Sequence, residues 1–250
     1  MAELAFVTIP FSHYCEKARW ALDRAGLAYD ERAHLPMAHW VPAKRAGGGK
    51  TVPVLVTPSG TLRDSTDILR WVDAKLPEDA RLFPTDPALA ADVQRWEDLF
   101  DDKLGPATRR WAYGHLLPDE ALVRSLMRRN VPAYQGAAVQ VLYPVARRLM
   151  ARGMNINPAA CARSLERMRS LFAEVSTALA DGRRYLVGER FTAADLTFAA
   201  LATPVLFPPR HARWLGSADE LPVAMRETVD EFRATRAGAW ALRLYAEERG

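Results

Sequence analysis

Cysteine is scarce: the 250-residue sequence has two, Cys15 and Cys161, separated by 146 positions. So few, so far apart, they exclude a disulfide framework and zinc-type spacing, and no metal is expected. The first residues, Met1-Ala2-Glu3-Leu4, lack a basic segment followed by an apolar one, so no secretory signal is read and a reducing cytoplasm is the expected setting. Excess charge of one sign is also lacking. Lys and Arg number 34 against 30 Asp and Glu, leaving +4 with a pI near 9.2. Of the basic residues 29 are arginines, scattered rather than striped, and no nucleic-acid motif accompanies them; no nucleic-acid partner is expected. A long hydrophobic run is missing too. The uncharged stretch from Val131 to Ala146 contains Pro132, Gln135, Gly136, Gln140 and Pro144 and is too short to span a bilayer. Its flanks, Arg128-Arg129 and Arg147-Arg148, leave surface association open, but an internal helix is the plainer expectation and membrane-surface contact is not expected.

What is present is ordinary for a folded protein: 49% hydrophobic and 26% charged residues, and length for one or two domains. The first 78 residues mix strand and helix signals. Leu4–Ile9 is a short apolar strand, Tyr14–Ala25 has alanines and leucine at helical spacing, Gly26 stands where a helix C-terminus wants it, and Tyr29–Leu35 can return as a parallel strand. Val52–Val56 and Thr61–Arg63 suggest an antiparallel pair, followed by a helix over Thr66–Leu76 with Ser65 as its cap. Residues 79–87, with Pro84 and Pro87, read as a linker. Helical patterns then run over about 88–115, 119–129, 134–151, 159–181, 193–203 and 222–246, predicting an all-helical domain from 88 to 250. Charge divides the same way: residues 1–80 carry 10 basic and 10 acidic side chains, whereas residues 101–170 carry 12 and 5.

Four short motifs bear on chemistry. Gly47-Gly48-Gly49-Lys50-Thr51 is not a phosphate loop, because Lys44 stands where such a loop needs glycine and a strand follows. Val52-Pro53 puts proline inside an apolar run, at an edge or in a cis step that turns the preceding backbone outward. Asp64-Ser65 opens a helix, where free N–H groups favour a carboxylate and Asp64 suits an ammonium; a plain cap is the alternative. Ser12-His13-Tyr14-Cys15 lies at a strand-to-helix turn, so a hydroxyl and a positive helix end converge on one spot that would stabilise a thiolate. Cys15 could itself be a low-pKa thiol there, or a half-buried helix residue.

Taken together these motifs resemble the soluble glutathione S-transferase family, in its serine-type, bacterial-like form. Ser12–Cys15 resembles the Cys-x-x-Cys site of thioredoxin-like folds with serine in the nucleophile's place. Thr51–Leu55 resembles the cis-proline strand, and Asp64-Ser65 the element that holds the γ-glutamyl group. Tyr185–Asp195 is similar to the signature of that family's helical domain, with Thr192 and Asp195 as a capping pair and Phe191 as a staple. The resemblance covers about residues 4–115 and 158–235. It implies an α/β thioredoxin-like N-terminal domain plus an all-α C-terminal domain, a homodimer, and a detoxifying transferase that joins glutathione to a small apolar electrophile. Ser12 would stabilise the glutathione thiolate; Val52 and Pro53 would hold its cysteinyl part, Asp64 and Ser65 its γ-glutamyl end, and His39 its glycyl end, with Lys50 and Trp40 as competitors. Phe11, His13, Trp111 and Tyr113 are expected in the electrophile pocket between the domains. Residues 116–157 look like an insertion that caps or reshapes it. Two alternatives stand: a glutathione-dependent thiol-disulfide oxidoreductase using Cys15, and a non-catalytic binding protein of the same fold.

Overall fold

The computed structural model describes residues 3–249. Strand β1 (Leu4–Thr8) is the apolar run expected there, and it is central in its sheet. Helix α1 (His13–Arg24) carries the chain back over the sheet, so β2 (Tyr29–Ala33) pairs parallel with β1, Leu4 beside Tyr29 and Thr8 beside Ala33. Gly26 ends the helix with φ of 61°, and the Leu27 N–H reaches back to the Leu22 carbonyl at 3.1 Å. After the short helix α2 (Trp40–Arg45) comes β3 (Val54–Thr57), antiparallel to β1, then β4 (Gly60–Leu62), antiparallel to β3. The sheet order is β2-β1-β3-β4. Strand β3 begins later than expected because Pro53, after a cis Val52–Pro53 bond, has no N–H to give the ladder. Helix α3 (Ser65–Asp73) buries Ile68, Leu69 and Val72 against the sheet side of the core. Its cap is Asp64, not Ser65: the Asp64 carboxylate accepts the Thr66 N–H at 2.8 Å, and Ser65 is the first helical residue.

The remainder is helical: α4 (Pro87–Leu99), α5 (Gly105–Leu116), α6 (Glu120–Met127), α7 (Ala133–Gly153), α8 (Pro158–Ala178), α9 (Ala193–Leu201), the short α10 (Thr203–Leu206) and α11 (Ala212–Leu215), α12 (Val223–Ala234) and α13 (Arg236–Glu247). The fold is therefore a thioredoxin-like domain followed by an all-α domain. One apolar core joins the two, running from Leu4 and Phe6 through Trp20 to Phe198 and Tyr245. A smaller core of Leu117, Val123, Met127, Val139, Tyr143 and Met150 lies under α6 and α7, the stretch expected as an insertion. The uncharged run is internal on one face only: it forms much of α7, which buries Val139 and Tyr143 and leaves Val141, Leu142 and Val145 exposed. No helix among the described residues is long and apolar enough to cross a membrane.

Two expected helices are broken. The helix over 88–115 widens at Phe100–Leu104 into one π turn, where the Gly105 N–H bonds the Phe100 carbonyl. Pro106 cannot donate to the Asp101 carbonyl in that register, and the Tyr14 hydroxyl of α1 donates to it instead, at 2.8 Å. The helix over 222–246 breaks at Thr235, which ends α12 and caps α13 by accepting the Gly238 N–H at 3.0 Å. The two helices meet so closely there that a Cβ on Gly238 would lie 2.0 Å from the Phe232 carbonyl oxygen.

The capping pair of α9 forms as expected. Asp195 accepts N–H bonds from Thr192 and Leu186, each at 2.7 Å, while burial pushes its carboxyl up to about 6. Phe191 stacks on Trp20 of α1, at 5.7 Å between ring centres, which ties the signature to the first domain. Charges on α1 do the same. Lys17 sits between Glu97 and Asp101 at 2.9 and 2.6 Å, and Glu16 meets Arg19 at 2.7 Å, Arg249 at 2.8 Å and His211 at 3.3 Å.

Candidate functional site

The C-terminal end of β1 runs straight into the N-terminal end of α1, so Phe11 and Ser12 emerge where the sheet edge meets the helical domain. Ser12 caps α1: its Oγ accepts the Cys15 N–H at a long 3.4 Å, and its carbonyl accepts the Glu16 N–H at 2.9 Å. The hydroxyl proton can turn either to the Cys15 sulfur or to a ligand in the groove. The unpaired N–H groups of the first helical turn add a positive potential at the same place.

Ser12 lies in a groove of about 410 Å³ between the domains, together with Phe11, His39, Val52 and Tyr113, and with Trp40 and Lys50 at one end. His39 is not an exposed loop residue. It is 7% exposed, and its Nε2 bonds the Lys50 carbonyl at 2.9 Å. That bond commits the ring to holding the Lys50–Val52 backbone and leaves the Lys50 ammonium, over the Trp40 ring at 5.5 Å, facing outward. Pro53 is buried beneath Val52 in sequence and does not line the groove; nor do Asp64, which is exposed at its helix cap, and Ser65, which is 3% exposed.

Cys15 is fully buried. Burial pushes its thiol up to about 11, against the smaller opposing effect of hydrogen bonds to Ser12 and Ile9, so it is not the low-pKa thiol its place in the motif suggested.

A second, mostly apolar cavity of about 70 Å³ adjoins the groove. Phe11, His13, Arg109 and Tyr113 line both spaces and form the boundary. Val123, Leu126 and Met127 of α6 supply one wall of the apolar cavity, and Phe207 and Trp214 another. The end of α7, through Leu149, Met150 and Met154, walls the groove. The stretch over 116–157 thus contributes to both spaces. Trp111, expected as a wall residue, is 1% exposed and lines neither. His13 is neutral: burial, then the Arg109 charge, pushes it down to about 3, and its Nε2 contacts the Gly105 carbonyl at 3.0 Å.

Arg109, Met150, Phe207 and Trp214 were missed in the sequence. Only Arg109 had a signal, since it stands one helical turn before Tyr113 and shares its face.

Sequence comparison agrees with this architecture. Residues 6–80 match the glutathione S-transferase N-terminal domain and residues 158–226 the glutathione S-transferase C-terminal domain, which together take in more than half of the chain. The protein belongs to the glutathione S-transferase family. No curated protein matches the sequence. Among solved structures, the fold is similar to a glutathione S-transferase of Ceriporiopsis subvermispora in complex with glutathione, with a TM-score of 0.65 and 19% identity over 99% of this chain and 98% of that one. It is also similar to the theta-class enzyme of Xanthomonas axonopodis pv. citri with glutathione bound, at 0.54 and 20% over 97% and 98%. A Methylobacterium radiotolerans glutathione S-transferase in complex with glutathione sulfonate gives 0.55 and 21% over 96% and 94%.

Proposed function

We propose that the protein is a glutathione transferase that uses Ser12 to hold the thiolate of glutathione and directs the sulfur at a small apolar electrophile. The observation that carries this reading is the position of the Ser12 hydroxyl, at the N-terminus of α1 and on the floor of the groove. A hydroxyl donor and a helix end both favour the anion over the thiol, and the thiolate is the nucleophile. Val52 would meet the cysteinyl backbone, with Pro53 setting the bend. Lys50, held by His39, is the better partner for the glycyl carboxylate, with His39 as a positioning residue. Asp64, exposed beyond the groove lining, would take the γ-glutamyl end, with Ser65 contributing through its backbone at the start of α3. The glutathione complexes among similar folds support the same ligand. A homodimer in the cytoplasm belongs to the same proposal; sedimentation of the purified protein reads the dimer.

The burial of Cys15 favours this chemistry over a thiol-disulfide cycle, which needs a sulfur that substrate can reach. Ser12→Ala is expected to lower kcat/KM for 1-chloro-2,4-dinitrobenzene about a hundredfold, the usual loss on removing one oxyanion donor. It should also raise the thiol pKa of bound glutathione, read from the ultraviolet absorbance of the thiolate. Wild-type turnover in that variant would remove Ser12 from the mechanism. A glutathione dissociation constant above roughly 10 mM, a free energy weaker than about 3 kcal/mol, would remove the transferase reading itself.

A further inference from the structure

Arg109 is the unusual residue of the site. It is half-buried on α5, it lines both the groove and the apolar cavity, and among the described residues its side chain has no hydrogen-bond or ion-pair partner. Its neighbour Arg110 is fully engaged, with the Met154 carbonyl at 3.1 Å and the Ser164 hydroxyl at 3.2 Å. The titratable groups that sense the Arg109 charge are His13, Tyr14 and Tyr113. None offers a negative charge near neutral pH: His13 is pushed down to about 3, Tyr113 is pushed up to about 12 by burial, and burial likewise raises Tyr14. The guanidinium is open to the groove and without a protein counter-charge, and beside apolar walls such a group pairs bidentately with a carboxylate.

Resting on the transferase reading above, we propose that the co-substrate is an apolar electrophile that also carries a carboxylate, and that Arg109 is the residue that selects it. The apolar body lies across the mouth of the 70 Å³ cavity, with its inner edge toward Leu126, Met127, Phe207 and Trp214, and the carboxylate lies on the guanidinium at the boundary with the groove. Arg109 is then a specificity residue contributed by the helical domain, separate from the Lys50 end of the groove.

Two aryl chlorides test this: neutral 1-chloro-2,4-dinitrobenzene and anionic 4-chloro-3,5-dinitrobenzoate. In each reaction the sulfur–carbon bond forms, the carbon–chlorine bond breaks, chloride leaves with the bonding pair, and the thiol proton goes to solvent. The readout is the ratio of kcat/KM for the benzoate over that for the neutral compound. It is expected to fall at least tenfold in Arg109→Met, to fall further in Arg109→Glu, and to fall less than in Arg109→Met in Arg109→Lys, which keeps the charge but loses the bidentate fork. Because the side chain has no protein partner, the Met variant orphans no buried group. An unchanged ratio in both Met and Glu variants overturns the proposal. So does an equal fall of kcat with both chlorides, which would place Arg109 at the reacting atoms, or a loss traced wholly to the KM of glutathione. If the wild type conjugates neither chloride, the transferase reading fails, and calorimetric titration with 3,5-dinitrobenzoate decides the question of Arg109 by itself. Binding at least tenfold weaker in Arg109→Met upholds the carboxylate site; equal binding overturns it.

Discussion

The thiol of Cys15 stands three residues from Ser12, yet it touches only protein. With its pKa near 11, the thiolate fraction at neutral pH is on the order of one in ten thousand, too small for a redox cycle at a useful rate. In a Cys161→Ala background, the native protein should give no fast reaction with a disulfide reagent at neutral pH and one full equivalent after denaturation. Cys15→Ala should keep conjugation within about twofold of wild type. A fast native equivalent would mean that the helix end opens. The order of residues in the strand-to-helix turn was enough to put a hydroxyl on the groove floor. It could not say whether Cys15 faces in or out, because that depends on what packs over α1. The same limit applies to His39, whose loop position hid a bond from its ring to the Lys50 backbone.

Elements were legible where local chemistry alone decides them. The Gly26 terminus of α1 and the Thr192–Asp195 box of α9 appear as expected because each is made by residues within one turn. The π turn before α5 was hidden because its cause is shared between two distant helices: Pro106 removes a donor, and Tyr14 replaces it from another domain. Gly105 is required at that crossing, since a Cβ there would come within 2.3 Å of the Tyr14 hydroxyl oxygen. Tyr14→Phe should therefore lower stability by about 1–3 kcal/mol, the cost of a buried carbonyl left without a donor. Gly105→Ala should cost more, because the phenol must move as well as lose its bond. Both appear as a lower urea midpoint with an unchanged slope. Equal stability of Tyr14→Phe and wild type would show that water replaces the phenol.

At the scale of the whole molecule, the thioredoxin-like unit is fastened to the helices by charge as well as by apolar surface. Burial alone would raise the Glu16 carboxyl, but His211, Arg19 and Arg249 outweigh it and hold it well below the usual range. A carboxyl depressed in the folded state stabilises fully above its unfolded pKa, about 4.5, and that stability is lost as pH falls through the folded value. Glu16→Gln should remove about 1–3 kcal/mol at neutral pH, less than a fully orphaned charge would cost, because Arg19 keeps Glu31 and Arg249 keeps Asp23. Stability of that variant should also decline less steeply than wild type below pH 4.5. An identical acid limb in both proteins would assign the acid sensitivity elsewhere. Only the Glu16–Arg19 pair, one helical turn apart, could be read along the chain, because Glu16 and Arg249 are 233 positions apart.

That separation has a temporal side. The indole of Trp20 bonds the Glu248 carbonyl, Arg24 pairs with its carboxylate, and Arg249 bridges Glu16 and Asp23. During synthesis α1 is translated more than two hundred residues before these partners. The helix that carries the serine therefore waits, with Glu16 matched only by Arg19 and Asp23 without Arg249, until the segment around Glu248 emerges to close over it.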